Sequence, residues 1–118
     1  MTAVWQRDER MLNTMQKHEK YIERNDLRDA SHLQVSVFYD KGSMNYFSGQ
    51  SAPRGFYLSV TPVTKGNGTV SFTMFTGMKR LLHDVSRYTD KQFHHAIELS
   101  KSYEYELITA VVNKNKAA

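Results

Sequence analysis

The sequence has no cysteine, only two prolines and no long apolar run. Without cysteine the chain can form no disulfide, thiolate metal site or thiol nucleophile, which is typical of a protein from a reducing compartment. A membrane-spanning helix needs roughly 18 consecutive apolar residues, and no stretch approaches that length. The first ten residues also lack the basic and then apolar pattern of a secretory leader. We therefore expect a soluble, cytoplasmic protein without membrane contact.

The positive charge is concentrated in the middle of the chain. Residues 1–30 carry six basic and six acidic side chains, and residues 93–118 carry three of each. Residues 31–92 carry seven basic and three acidic side chains, which accounts for the whole net charge of +4. A local basic excess is typical of a protein that binds a polyanion, nucleic acid above all. A mildly basic soluble surface is the plainer interpretation.

The same middle segment shows the alternation of β-strands. Apolar and polar residues alternate from Leu33 to Tyr39 and from Phe56 to Val63, and turn residues separate these runs from two others. The second and fourth runs are residues 44–48 and 70–75, and the turns lie at residues 40–43 and 65–68. Pro62 cannot donate to a ladder, which predicts a strand end or an edge. We predict a four-stranded antiparallel sheet over residues 31–76, with one aliphatic face buried and one polar, aromatic face available.

Helical patterns flank the predicted sheet. Residues 2–27 have a narrow apolar stripe among dense mixed charges, which predicts an N-terminal helical arm over residues 1–30. Met78, Leu81, Leu82 and Val85 have i, i+3, i+4, i+7 spacing, which predicts a helix on the aliphatic sheet face. Thr89 and Gln92 match a capping box that starts another helix. Residues 103–112 also alternate as a strand would, but helix is favoured.

Together these patterns predict an α+β fold in a single domain spanning residues 1–118. Its parts are a helical arm at 1–30, an antiparallel sheet at 31–76, and helices at 77–113 packed on one sheet face.

No pattern indicates an enzyme. His94 and His95 are adjacent, so they point to different sides of a helix and lack the i, i+4 spacing of a metal pair. The row formed by Asp90, His94 and Glu98 is more typical of surface electrostatics than of catalysis. GxSxG, P-loop and GxGxxG motifs do not occur in the sequence. We expect no catalytic residues, no metal and no cofactor.

A binding function is predicted from the polar sheet face. Exposed rings on a sheet are costly unless something covers them, and nucleobases can cover them by stacking. We predict that Phe47 and Tyr57 stack on bases and that Lys41, Arg54 and Lys65, at or beside the turns, contact phosphates. The alternative is that the rings form a subunit interface or pack beneath the N-terminal helix.

Two resemblances support this interpretation. Four antiparallel strands followed by a helix resemble positive-cofactor-type and whirly-type single-stranded DNA-binding proteins, which implies dimerisation through helices. Residues 39–49 and 53–60, YDKGSMNYFSG and PRGFYLSV, are similar to short uncharacterised proteins of bacterial phages and other mobile elements. If residues 103–112 form a strand, an oligonucleotide-binding barrel is a competing fold.

The resulting hypothesis is a non-catalytic, single-stranded nucleic-acid-binding protein of a phage or mobile element that assembles as a homo-oligomer through its helices. The alternative hypothesis is a protein–protein interaction factor, such as an inhibitor of a host defence enzyme. The salt dependence of binding distinguishes the two hypotheses, because phosphate binding weakens steeply as the salt concentration rises and binding through an apolar interface does not.

Overall fold

The computed structural model describes residues 18–42, 53–72, 76–83, 85 and 87–117. Within these residues an antiparallel sheet packs against one long helix. The elements are β1 (His18–Glu23), β2 (His32–Asp40), β3 (Gly55–Gly66), β4 (Thr69–Phe72), β5 (Gly77–Leu82) and α1 (Asp90–Ala117). The α+β class, the antiparallel sheet and a C-terminal helix on one sheet face are therefore confirmed.

Strand β3 is the centre of the sheet. The strand order is β1-β2-β3-β4, and β5 pairs with β3 as well. Strand β2 pairs with β3 from Asp40 opposite Gly55 to His32 opposite Val63. On the other edge β5 pairs with residues 56–60 of β3, and β4 pairs with residues 63–66. Two short strands thus share one edge of one long strand.

The helix covers the aliphatic face of the sheet. Leu33, Val35, Leu58 and Val60 alternate along β2 and β3 and are buried in one cluster with residues of α1. The helix residues of that cluster are Ala96, Val111 and Val112. Burying each aliphatic side chain of this size contributes roughly 1.5–3 kcal/mol. At Gly77 the helix comes so close to β5 that a methyl group there would overlap Val111.

The predicted N-terminal helical arm is wrong for the part of it that the structure describes. Residues 18–23 form β1, which pairs with β2, and residues 24–31 are an irregular connection. The strand alternates: Ile22 packs on the core, while Tyr21 on the opposite face accepts a hydrogen bond from Gln34. Pairing with the edge of β2 overrides the local helical pattern. Residues 1–17 of the arm lie outside the described residues.

The predicted helix with Met78, Leu81, Leu82 and Val85 is wrong as well. Residues 77–82 form β5, a fifth strand in place of a predicted helix. Leu81 is buried and Met78 is 45% exposed, as alternation in a strand requires. Six residues are too few for apolar spacing to distinguish a helix from a strand. Residues 77–82 form a strand because they pair with the edge of β3.

Other predictions are confirmed. Strands β2 and β3 and the start of β4 lie where the alternation placed them, and the 65–68 turn has positive φ at Asn67 and Gly68. Thr89 caps α1 by accepting a hydrogen bond from the Gln92 amide at 3.2 Å. The helix includes residues 103–112, which excludes the barrel that a strand there would have required. The predicted second strand, residues 44–48, lies outside the described residues.

Candidate nucleic-acid interface

The polar face of the sheet is buried, contrary to the expectation of an open face. Five side chains on this face of β2 and β3 are only 3–8% exposed: Gln34, Ser36, Tyr57, Ser59 and Thr61. Each of them forms a side-chain hydrogen bond. Ser36 and Ser59 are paired at 3.0 Å, and Thr61 and Thr76 at 2.9 Å. This face is therefore not a free platform on which bases could stack.

The predicted stacking residues have different surroundings from those expected. Tyr57 is 7% exposed, and its hydroxyl donates a hydrogen bond to the carbonyl of Pro53. The Tyr57 ring stacks on Phe38, with 5.9 Å between the centroids and 20° between the planes. Phe38 is only partly buried, so it is the more accessible ring of this pair. Phe47 lies outside the described residues.

The structure separates the predicted phosphate contacts into two groups. Lys41 and Arg54 follow and precede the paired residues Asp40 and Gly55, so both lie at the same end of the sheet, and both are exposed. Lys65 lies near the opposite end of β3. At the rise of an extended strand it is about 33 Å from Gly55, where β3 begins. Its ammonium group lies over the Tyr21 ring, 4.4 Å from the centroid. One short ligand therefore cannot bridge all three.

Three more cations lie at the end of the sheet that holds Lys41 and Arg54. Arg80 donates a hydrogen bond to the Arg54 carbonyl. Arg87 precedes Tyr88, whose ring packs on Phe56 at the start of β3. Lys91 lies in the first turn of α1, two residues before Phe93, which also contacts Phe56. We call Lys41, Arg54, Arg80, Arg87 and Lys91 the basic end.

Sequence reasoning counted Arg80, Arg87 and Lys91 in the basic excess but did not place them in the site. The predicted helices over residues 77–113 place these three cations on helices and not on a strand beside β3. Once residues 77–82 pair with β3, Arg80 lies opposite Tyr57, beside the start of the central strand. The segmental charge excess was the one signal that could have found them.

Four of the five cations of the basic end have no salt bridge among the described residues. In the described part of the chain, Lys41, Arg80, Arg87 and Lys91 have no carboxylate within 4.0 Å. Elsewhere in the described residues, salt bridges join Lys20 to Glu104, Arg24 and Lys116 to Asp26, and Lys101 to Glu98. Asp84 lies outside the described residues. Four cations without a close carboxylate in the described part of the chain therefore lie at one end of the sheet.

The field of the basic end reaches the buried Tyr57 hydroxyl. Burial raises the pKa of Tyr57, the charge of Arg80 lowers that pKa, and the charge of Asp40 raises it. The net direction is upward, so the phenol is neutral at physiological pH. Tyr57 therefore acts as a neutral hydrogen-bond donor that holds Pro53 beside Arg54.

Neither a metal site nor a membrane helix is found where the structure describes the chain. Over residues 18–42, 53–72, 76–83, 85 and 87–117, no three His, Cys, Asp or Glu side chains are grouped as metal ligands. The helix described, α1, is not apolar enough to cross a bilayer. No protein-family model, curated protein or solved structure matches this chain. A function is therefore inferred from the side chains alone.

Proposed function

We propose that this protein binds single-stranded nucleic acid without catalysis, and that the phosphates contact the basic end. The supporting observation is the group of four cations there that lack a carboxylate partner among the described residues. Lys41 and Arg54 keep the role predicted for them, and Arg80, Arg87 and Lys91 join them. Phosphates that replace the missing carboxylates release counterions from the nucleic acid, which supplies most of the binding free energy.

A single strand fits this end better than a duplex. Phe38 is partly exposed and lies two residues before Asp40, close to the cations. An unpaired base can stack on such a ring, which contributes roughly 1–3 kcal/mol for each base and requires no particular sequence. Bases within a duplex are already stacked on one another. Lys65, at the far end of β3, contacts only a strand long enough to follow the sheet.

The proposal keeps four other expectations from the sequence. Phe47 stacks on a base, the protein comes from a phage or mobile element, it is cytoplasmic, and it assembles through its helices.

The outer surface of α1 carries Tyr105, which is 83% exposed, and a second copy of the chain could cover it. Size-exclusion chromatography with light scattering of the full chain and of Tyr105→Ser tests that assembly. A dimer that becomes a monomer in the variant supports it, and a monomeric full chain contradicts it.

The second candidate function is protein–protein interaction. Phe72 on β4 and Met78 on β5 are 58% and 45% exposed, and they lie on the two short strands that pair with the same edge of β3. Exposed apolar side chains at a sheet edge are typical of surfaces that bind a protein strand. An inhibitor of a host defence enzyme would use such an edge. Its binding would change little with salt and would be lost in Phe72→Ser.

Fluorescence anisotropy of a labelled oligo-dT strand at two salt concentrations, with duplex DNA alongside, tests the proposed function. We expect tighter binding to the single strand, with log K falling against log salt by about 0.7 for each phosphate contact. The double variant Lys41→Gln and Arg87→Gln should lower both the affinity and the slope. Lys101→Gln, which removes one charge on α1, is the control. No binding at low salt, or equal losses in Lys101→Gln, would contradict the proposal.

A further inference from the structure

Arg80 differs from the other cations of the basic end because its guanidinium is partly buried. Its Nη2 donates to the Arg54 carbonyl, while its Nε is inaccessible to solvent and has no hydrogen-bond partner among the described residues. A guanidinium has five N–H donors. Most of the hydrogen-bonding capacity of Arg80 is therefore unused within the described protein.

Gly55 allows the guanidinium to take this position. A Cβ atom at Gly55 would overlap the Leu82 carbonyl and would lie 3.1 Å from Arg80 Nε. The φ of Gly55 is also +156°, which disfavours a side chain there. The guanidinium and the end of β5 thus lie directly against the backbone of β3. The missing side chain at Gly55 therefore leaves room for the Arg80 guanidinium.

Arg24 provides the comparison within the same protein. It is also partly buried, but its Nε and Nη2 donate to the two carboxylate oxygens of Asp26 at 2.9 and 2.7 Å. Burying a charge without such a partner is costly, and a neutral side chain at position 80 would avoid that cost. An arginine held in place without its anion is better explained by an external anion than by folding.

We propose that Arg80 binds a phosphate group of the nucleic-acid backbone through the guanidinium N–H groups other than the buried Nε and the N–H that contacts Arg54. The planar fork of a guanidinium suits two phosphate oxygens, which a lysine ammonium does not. This inference rests on the proposed function and adds a specific ligand to it. Because Arg80 also holds the Arg54 carbonyl, phosphate binding should stabilise the junction of β3 and β5.

The test combines thermal unfolding with oligonucleotide binding. Unfolding of the full chain is measured in sodium phosphate and in sodium chloride at equal ionic strength. We expect a higher Tm in phosphate, a smaller difference in Arg80→Lys and the smallest difference in Arg80→Gln, where the remaining cations and the general effect of phosphate persist. Arg28→Gln removes the same charge at the opposite end of the sheet and should keep the difference. Circular dichroism of each variant shows whether it folds, and Arg80→Lys retains the charge if Arg80→Gln does not fold.

Oligo-dT titrations of the same variants separate the possible outcomes. In Arg80→Gln the salt slope should fall by about 0.7, the contribution of one phosphate contact to a single strand. An unchanged slope together with an unchanged phosphate effect overturns the role of Arg80, while oligo-dT binding by the parent would still support the proposed function. A phosphate effect that depends on Arg80 without any oligo-dT binding indicates a site for free phosphate and contradicts nucleic-acid binding. A phosphate effect equal in all variants also overturns the inference.

Discussion

At the scale of single residues, Tyr57 links the buried polar face to the basic end. Burial is the largest cause of its raised pKa, so the folded state favours the neutral phenol. The unfolded phenol titrates near pH 10. The stability that Tyr57 contributes is therefore fully present below about pH 10 and is lost as the pH rises through the higher pKa of the folded state.

We expect Tyr57→Phe to lose less stability than the parent between about pH 8 and about pH 10.5, a window that spans the ordinary pKa of tyrosine. Urea midpoints at both pH values measure this difference. Tyr88 also has a pKa raised by burial, so part of the alkaline loss should persist in the variant. Tyr105→Phe is the control, since Tyr105 is largely exposed and should leave the pH dependence unchanged. Equal alkaline losses in the parent and Tyr57→Phe would contradict the assignment.

Gly77 and Gly66 form a matched pair of glycines. A methyl group at Gly77 would overlap Val111 and approach Leu107, whereas at Gly66 it would meet nothing within 4 Å. We expect Gly77→Ala to lower the free energy of unfolding by about 1–3 kcal/mol through overpacking. Gly66→Ala should change it by less than about 0.5 kcal/mol, as a typical surface substitution does. Urea unfolding measures both, and equal effects would show that α1 does not need the close approach.

Residue identity alone locates part of the candidate site. Lys41 and Arg54 are predicted from their positions beside turns, and both are exposed at one end of the sheet. Tyr57 is predicted to be available for base stacking because it alternates with buried residues. Alternation shows which face of the sheet a side chain lies on, but it does not show whether that face is exposed to solvent. Whether a face is covered depends on contacts between distant residues, which no local pattern contains.

At the scale of elements, Pro62 shows why an edge position is the wrong prediction for the central strand. A proline predicts a strand end or an edge, yet Pro62 is fully buried within β3 opposite Leu33. It lies where the neighbour of β3 changes from β5 to β4, so no paired residue on that edge requires its missing N–H. A sequence reveals that a donor is absent but not that two strands leave a gap beside it.

The C-terminal end of α1 is attached to the connection between β1 and β2 by Asn115. Its Oδ1 accepts a hydrogen bond from the Arg28 amide at 2.6 Å, and its Nδ2 donates to the Arg28 carbonyl at 3.2 Å. We expect Asn115→Ala to cost roughly 1–3 kcal/mol, because two backbone groups lose their partner. Hydrogen exchange of residues 24–31 should accelerate. The exposed Asn113→Ala is the control, and unchanged exchange in Asn115→Ala would contradict this role.

At the scale of the whole molecule, the concentration of like charges at the basic end opposes stability. Lys41, Arg80, Arg87 and Lys91 form no salt bridge among the described residues, whereas Arg24 and Lys116 near the other end both pair with Asp26. Dividing the charge along the chain identifies this excess from the amino-acid sequence alone. The sequence does not show that Lys65 lies far from Arg54, because that separation follows from the length of β3 in the fold.

We expect Arg87→Glu to keep or slightly raise the Tm while it weakens oligo-dT binding. Relief of repulsion between like charges accounts for the first effect, and loss of a phosphate contact accounts for the second. Differential scanning fluorimetry at low salt and the anisotropy titration measure the two quantities. Lys101→Glu, which loses the partner Glu98 on the exposed helix surface, should lower the Tm slightly and leave binding unchanged. A Tm that falls more in Arg87→Glu than in Lys101→Glu would contradict the proposed repulsion.

The length of β3 has a further consequence for engineering and for evolution. Substitutions separated by more than about 7–10 Å without shared partners usually have additive effects. The Asn115 attachment and the basic end lie near opposite ends of the central strand and should therefore tolerate change independently. New loops could therefore be grafted onto one end while the other end preserves the scaffold, so the chain could diverge at one end without a redesigned core.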